Sequence, residues 1–181
     1  IVLAAEQMLR PRQSLAGQRV LVTAGPTLED LDPVRFLGNR SSGRMGFALA
    51  EEAVRRGATV TLIAGPTSVA PPDGCEVVRV RSAVQMHDAV LAASEQADLV
   101  VMAAAVADYR PAQPADQKIK KHSDRLDLEM QRTTDIVGSV AARPERPFVV
   151  GFAAETESVE QNARGKLLKK NLDMIAANEV G

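Results

Sequence analysis

From Leu15 onward, apolar residues come in short bursts separated by glycine, proline and charge. Arg19-Val20-Leu21-Val22-Thr23 is a β-branched run broken by Ala-Gly-Pro-Thr at 24–27, which predicts a buried strand ending in a turn. Residues 28–43 show no period and read as a long loop, and loops of that length in compact domains tend to be functional. Met45, Leu49 and Ala53 recur at i, i+4 and i+8. With Arg55 and Arg56 in the last turn and Gly57 as C′ residue, they predict a helix over 45–56. Residues 59–63 form a second strand, again followed by Ala-Gly-Pro-Thr at 64–67, and 77–80 a third. Ser82 and Gln85 have capping-box spacing ahead of a stripe of Met86, Ala89, Val90 and Ala93, a helix. Residues 98–105 are continuously apolar after Asp98, as in a parallel strand covered on both faces.

The second half continues the alternation. Residues 109–117 are a proline-rich loop, and 125–131 alternate through Leu126, Leu128 and Met130 as an exposed ribbon strand. Residues 134–142 read as a short helix ended by Arg143-Pro144, and 148–152 as a buried strand. Ser158 and Gln161 repeat the capping-box spacing ahead of a helix carrying Val159, Ala163 and Leu167, and 172–176 read as a last strand. The order predicts an α/β fold: an open, doubly wound, mostly parallel, Rossmann-like sheet with a small β-ribbon extension. Such sheets bind ligands beyond the carboxyl ends of their strands, so segments 24–44, 64–74, 103–121 and 152–157 are the candidates. Residues 1–14, an amphipathic piece with Pro11, read as the end of an upstream region and its linker.

Composition narrows the class. At 45% apolar and 25% charged residues, the chain has the makings of a packed core. It contains no run of about 18 apolar residues, so a membrane-spanning helix is not expected. Glu6 and Gln7 come too early for a signal-peptide core, so the expected location is the cytoplasm. Cys75 is the single cysteine, which argues against a disulfide framework or a cysteine-rich zinc site. A net charge of −1 and five aromatics argue against a nucleic-acid-coating protein.

Four segments carry candidate chemistry. Gly38-Asn39-Arg40-Ser41-Ser42-Gly43-Arg44-Met45-Gly46 places glycines and serines before a helix N-terminus, a ready anion site. It is not a P-loop, because Arg44 and Met45 replace the lysine and the hydroxyl residue. No Gly-x-Gly-x-x-Gly occurs, and the second strand ends without a ribose-binding acid, so a dinucleotide fingerprint is missing. The alternative is a glycine turn that lets a helix pack closely. Lys118, Lys120 and Lys121, with Lys166, Lys169 and Lys170 later, suit a polyphosphate and the charge of phosphoryl transfer. Taken without context, they read first as solvated surface charge. Ala103-Ala104-Ala105-Val106-Ala107-Asp108 puts an acid after a small-residue strand end, as a Mg²⁺ or ligand contact or as a turn residue. Phe152-Ala-Ala-Glu155 is a second such end. Cys75, His87 and His122 have no partner set.

Together these segments resemble a known family. Thr23-Ala-Gly-Pro-Thr, Asp32-Pro-Val-Arg-Phe, Asn39-Arg-Ser-Ser-Gly-Arg-Met-Gly, Ala104-Ala-Val-Ala-Asp-Tyr-Arg, Lys118-Ile-Lys-Lys and Val150-Gly-Phe-Ala-Ala-Glu-Thr occur in order. The chain resembles the bacterial phosphopantothenoylcysteine synthetase domain of coenzyme A biosynthesis over residues 15–181. The resemblance implies a domain C-terminally truncated at 181. It implies a fused upstream decarboxylase, the only place where FMN is expected, and a homodimer. The implied reaction is CTP-dependent, with Mg²⁺. The carboxylate of 4′-phosphopantothenate is converted to an acyl-cytidylate with loss of pyrophosphate, and the amine of L-cysteine then displaces CMP.

By the same resemblance, Lys118, Asn39 and Arg35 would be catalytic. Met102, Ala103, Ala104, Asp108, Lys118, Thr134, Asp135, Ile136, Val137, Phe152, Lys166 and Lys170 would bind CTP, with Asp108 also at the metal. Asn39, Ser41, Ser42, Gly43 and Gly46 would form the phosphopantothenate or anion loop. Two departures stand out: Arg44 where the family has lysine, and Thr133-Thr134 where it has Asn-Pro. The rival readings are a nicotinamide-dependent reductase and a non-enzymatic dimerisation or regulatory module. The latter expects the two lysine groups to be scattered over the surface.

Overall fold

The computed structural model describes residues 13–121 and 124–179. Most of the segment 1–14, together with His122 and Gly181, lies outside the described residues. Six strands form the central sheet: β1 (Arg19–Ala24), β4 (Thr59–Ala64), β5 (Cys75–Arg79), β6 (Leu99–Met102), β9 (Phe148–Glu155) and β10 (Met174–Glu179). Their order is β10-β9-β6-β1-β4-β5, and every pairing is parallel. This is the 3-2-1-4-5-6 order of a Rossmann sheet, with its switch point between β1 and β6. Two antiparallel ribbons stand apart from it: β2 (Leu28–Asp30) with β3 (Phe36–Gly38), and β7 (Tyr109–Pro111) with β8 (Met130–Arg132).

The sheet has two cores because its strands alternate. Leu21, Ile63, Val100 and Val149 face one side and pack with Met86 and Val90 of α2 (Ala83–Ser94) and with Ile136 and Val140 of α3 (Ile136–Ala141). Val20, Val22, Val60 and Leu62 face the other and pack with Phe47, Ala50 and Ala53 of α1 (Arg44–Arg55). Successive residues of one strand thus serve opposite faces, and β-branched residues suit such doubly covered strands. The last helix, α4 (Val159–Lys169), links β9 to β10.

Two helix ends form as the sequence predicts. Gly57 takes φ +88°, its N–H donates to the Val54 carbonyl, and that of Ala58 donates to Ala53, a Schellman close. At α2, the Gln85 amide donates to Ser82 Oγ and the Ser82 amide to Gln85 Oε1, the reciprocal pair of a capping box.

Other expectations are corrected. The second capping box, at Ser158 and Gln161, does not form. Ser158 sits at φ +48° with no capping bond from its side chain, whereas a capping residue needs extended backbone. Strand β9 runs on to Glu155, so three residues must turn the chain into α4. Asn162 braces that turn by donating to the Glu157 carbonyl and the Glu155 carboxylate. The loop at 28–43 contains the β2–β3 hairpin, whose strands are too short to show a period. The proline-rich loop at 109–117 contains β7, and the ribbon at 125–131 shrinks to Met130–Arg132. The apolar run at 98–105 is strand only over Leu99–Met102. Beyond Met102 the chain leaves β9 and bonds with the end of β1, as described next.

Candidate functional site

Two gaps lie along the carboxyl edge of the sheet. The first, at the switch point between β1 and β6, is where a dinucleotide lies in a Rossmann sheet. Here it is filled by backbone. Ala105 N donates to the Gly25 carbonyl and Thr27 N to that of Ala105. The buried hydroxyls of Thr23 and Thr27 accept from the amides of Ala104 and Ala107. The two Ala-Gly-Pro-Thr turns lock together, since Gly65 N donates to the Ala24 carbonyl. A Cβ on Gly65 would fall 1.8 Å from the Pro26 oxygen. The start of α1 closes the gap from outside. A Cβ on Gly43 would lie 3.1 Å from Gly25, and one on Gly46 2.5 Å from the Ala24 Cβ. Gly46 therefore packs against β1, the close-packing alternative for this glycine.

The second gap opens one strand further on, over the ends of β6 and β9. It is a cleft of about 730 Å³. Met102, Ala104 and Asp108 line it from β6 and the chain beyond. Thr134, Asp135, Ile136 and Val137 line it from the entry to α3, Phe152 from β9, Lys166 from α4 and Lys170 from the cap of that helix. The Asp135 side chain caps α3 by accepting from Gly138 N at 3.2 Å and also pairs with Lys170 Nζ at 2.9 Å. Lys166 Nζ donates to the Phe152 carbonyl. Burial pulls the Lys166 ammonium below its ordinary pKa and Lys170 pushes the same way, against the carboxylates of Glu155, Asp135 and Asp108. A half-buried ammonium held by one carbonyl, beside a second ammonium, is an unsaturated cation site. An anionic ligand relieves both the desolvation and the repulsion.

The remaining sequence-selected residues lie outside this lining. Ala103 is half-buried next to it. Asn39 donates from Nδ2 to the carbonyl of Val106, a lining residue, at 3.0 Å, which puts the glycine-serine loop at the rim. Within that loop, Ser41 Oγ accepts from Gly43 N, and the Ser42 carbonyl accepts from Thr67 Oγ1. The Arg35 guanidinium is bound to the Asp32 carboxylate and to the Ile119 carbonyl. Lys118 is exposed, does not line the cleft, and has no side-chain partner among the described residues. Of the two lysine groups, only the later one borders the cleft.

Several lining residues escaped the sequence reading, among them Arg132, Gly151 and Asn171, whereas Lys169 of the late lysine group and Thr133 of the second departure also line the cleft. Thr133 absorbs one of the two departures. Its hydroxyl donates to the Ala107 carbonyl and its amide to that of Asp108, fastening β8 to the chain beyond β6. Asn171 was legible as a helix end. At φ +51° it closes α4, with Asn171 N on the Leu168 carbonyl and Leu172 N on that of Leu167, the left-handed C′ role that asparagine can fill in place of glycine. Its Nδ2 reaches the Ala141 carbonyl of α3.

Among the described residues no group of three or more His, Cys, Asp or Glu side chains is placed to hold a metal ion. Asp108, exposed in the cleft lining, could supply one carboxylate to Mg²⁺, which commonly takes one or two together with substrate phosphates. Cys75 donates to the Pro72 carbonyl, and burial pushes its thiol pKa up, the opposite of a nucleophile's environment. No helix among the described residues is long and apolar enough to cross a membrane.

With this geometry in place, comparison with known proteins gives the class. Residues 15–181 match the model of the DNA/pantothenate metabolism flavoprotein C-terminal domain, and the chain belongs to that family. It is 52% identical over 183 residues to the coenzyme A biosynthesis bifunctional protein CoaBC of Vibrio cholerae serotype O1, covering 99% of this chain and 46% of the relative. The chain thus spans less than half the length of the curated relative it matches. The crystal structure of the C-terminal domain of a coenzyme A biosynthesis bifunctional protein CoaBC superposes with TM-score 0.82 at 44% identity, over 92% of this chain and 79% of that one. The fold is shared more widely. A Cab2 variant in complex with phosphopantothenate-cysteine gives TM-score 0.77 at 15% identity, over 99% of this chain and 76% of that one.

Proposed function

We propose that this domain, within a longer protein, ligates 4′-phosphopantothenate to L-cysteine at the expense of CTP. The observation that supports the reading best is the cleft over β6 and β9. There an under-compensated Lys166 and an Asp135-paired Lys170 border the N-terminus of α3 beside the small-residue end of β6. Such a wall accepts a nucleotide with its phosphates toward the ammoniums.

In the first step a carboxylate oxygen of 4′-phosphopantothenate attacks the α-phosphorus of CTP. The bond to the β-phosphate oxygen breaks and pyrophosphate leaves with the electron pair. Lys166 and Lys170 steady the charge that moves onto the leaving oxygens, and Lys118 joins them from its exposed loop outside the lining. Asp108 would hold Mg²⁺ on the phosphates, where the ion supplies Lewis-acid neutralisation of charge. In the second step the cysteine amine attacks the acyl carbon, loses its proton to solvent, and CMP departs. Asn39, at the rim, offers an amide donor to the developing oxyanion. The domain acts as a homodimer in the cytoplasm, fused to a flavin-dependent decarboxylase.

The test is release of pyrophosphate by the full-length protein given CTP, 4′-phosphopantothenate and cysteine; no release would overturn the reading. Lys118→Gln should block acyl-cytidylate formation, and Asn39→Asp should let it form but slow its capture by cysteine. Failure of both variants at one step would refute this division of roles.

A further inference from the structure

The residue before Ile119 is Lys118, and both backbone polar groups of Ile119 are taken by a single ion pair. Asp32 Oδ2 accepts from Ile119 N at 3.0 Å, and the Arg35 guanidinium donates to the Ile119 carbonyl at 2.6 Å. Arg35 Nε also donates to Asp32 Oδ2 at 2.9 Å. The other carboxylate oxygen accepts from Val34 N at 2.8 Å and from Arg35 N at 2.9 Å. The Asp32 side chain is fully buried, whereas Arg35 is 40% exposed. Residues 112–121 form neither helix nor strand, and among the described residues their other backbone ties are Ala112 N to the Glu129 carbonyl and Ala115 N to the Leu31 carbonyl.

A carboxylate with five donors, four of them from its own turn and guanidinium partner and one from a chain segment 87 residues away, does more than close a turn. It joins the β2–β3 turn to the lysine loop as one unit. We propose that Asp32 is a positioning residue that aims Lys118 toward the cleft through the peptide of Ile119, with Arg35 as the second jaw of the clamp. The proposal rests on the ligase reading for the purpose of Lys118, but the clamp itself can be tested without it. Breaking one jaw leaves the fold of the sheet intact, because neither residue belongs to either core. It should therefore cost aim more than stability.

In the full-length protein, Asp32→Asn keeps the shape and one acceptor but loses the ion pair. It should lower kcat for pyrophosphate release about 10- to 100-fold, as misplacement of a reacting group does, with KM for cysteine unchanged. Added to Lys118→Gln it should lower the rate further by less than about twofold, because the two act through one group. Tryptic cutting after Lys118, Lys120 and Lys121 should become about tenfold faster while the rest of the chain stays protected. Should Asp32→Asn be insoluble, Arg35→Lys takes its place with the same expectations. Wild-type protection of residues 117–121 in the variant would overturn the proposal, and so would losses that multiply with Lys118→Gln. If the wild-type protein releases no pyrophosphate, the ligase reading falls. The clamp is then decided by the tryptic rates together with calorimetric binding of inorganic triphosphate, which the variant should weaken about tenfold.

Discussion

The two gaps at the carboxyl edge of one sheet differ in what fills them. Between β1 and β6, small residues and two buried threonines let backbone meet backbone until no space is left. Between β6 and β9, the chain after Met102 has turned toward β1, and the space it vacates is walled by α3 and α4 with their lysines. Small residues therefore have opposite consequences in neighbouring places. At Gly25, Gly46 and Gly65 they close a site; at Ala104 and Gly151 they leave one open. The switch-point rule points to the edge of the sheet where the cleft lies, but the loops decide which gap on that edge stays open. A nicotinamide cofactor in its usual Rossmann position would have to displace the Gly25–Ala105 ladder, which disfavours the reductase reading.

The contrast can be broken most forcefully at the open gap. Lys166→Met should reduce pyrophosphate release by roughly 10²-fold, the scale of one lost donor to developing charge. The apo protein should become no less stable, because a desolvated ammonium is removed. An unchanged rate in stopped assays would show that the open cleft is not where phosphate charge is handled.

At the closed gap the effect should be on stability. Gly46→Ala drives a methyl into Ala24 and the Thr23 carbonyl and should cost about 1–3 kcal/mol in urea denaturation. Thr27→Val strands the buried Ala107 amide and should cost a similar 1–3 kcal/mol. If either change instead weakened CTP binding at full stability, the closed gap would itself be part of the site.

Acid should act at the clamp. Burial works to raise the Asp32 pKa, but the Arg35 bond and the amides of Ile119, Val34 and Arg35 prevail and hold it well below the usual carboxylate range. Its unfolded pKa is about 3.9. A depressed folded pKa means that the stabilisation is complete above about pH 4 and is surrendered as pH falls toward the folded value. Asp32→Asn should flatten the stability–pH curve below about pH 4 and leave the curve above it parallel to wild type. The smallest effect is expected at Arg44, whose side chain borders a separate hollow beside Glu51 and Asp73 with no hydrogen-bond partner for its guanidinium among the described residues. Arg44→Lys should stay within about 0.5 kcal/mol of wild type.

Much of this was legible in the residue pattern. Alternating β-branched runs, Gly57 after two arginines, and Ser82 three residues before Gln85 are local signals read by local physics, and they produce the elements they announce. Ten of the cleft's lining residues were selected in advance, because the ends of β6 and β9, the entry to α3 and the last turns of α4 each carry distinctive short motifs. Ser158 shows the limit of such signals. Its spacing to Gln161 matched a capping box, yet the length of β9 set the backbone angle and vetoed it. The three-residue hairpin strands left no period to read, and the neighbours that hold them lie far away in sequence, at Arg81, Ala115 and Ile119.

By itself the sequence determined the α/β class, the parallel winding, the family and the edge of the sheet where the cleft opens, because hydrophobic period, caps and glycine turns act within a few residues. Only the tertiary structure decided which gap on that edge stays open, that Gly46 packs against Ala24, and that Ile119 is gripped by Asp32 and Arg35. Each of these depends on contacts across dozens of residues, where hydrogen-bond pairing and close packing select one arrangement from many that the same local pattern allows.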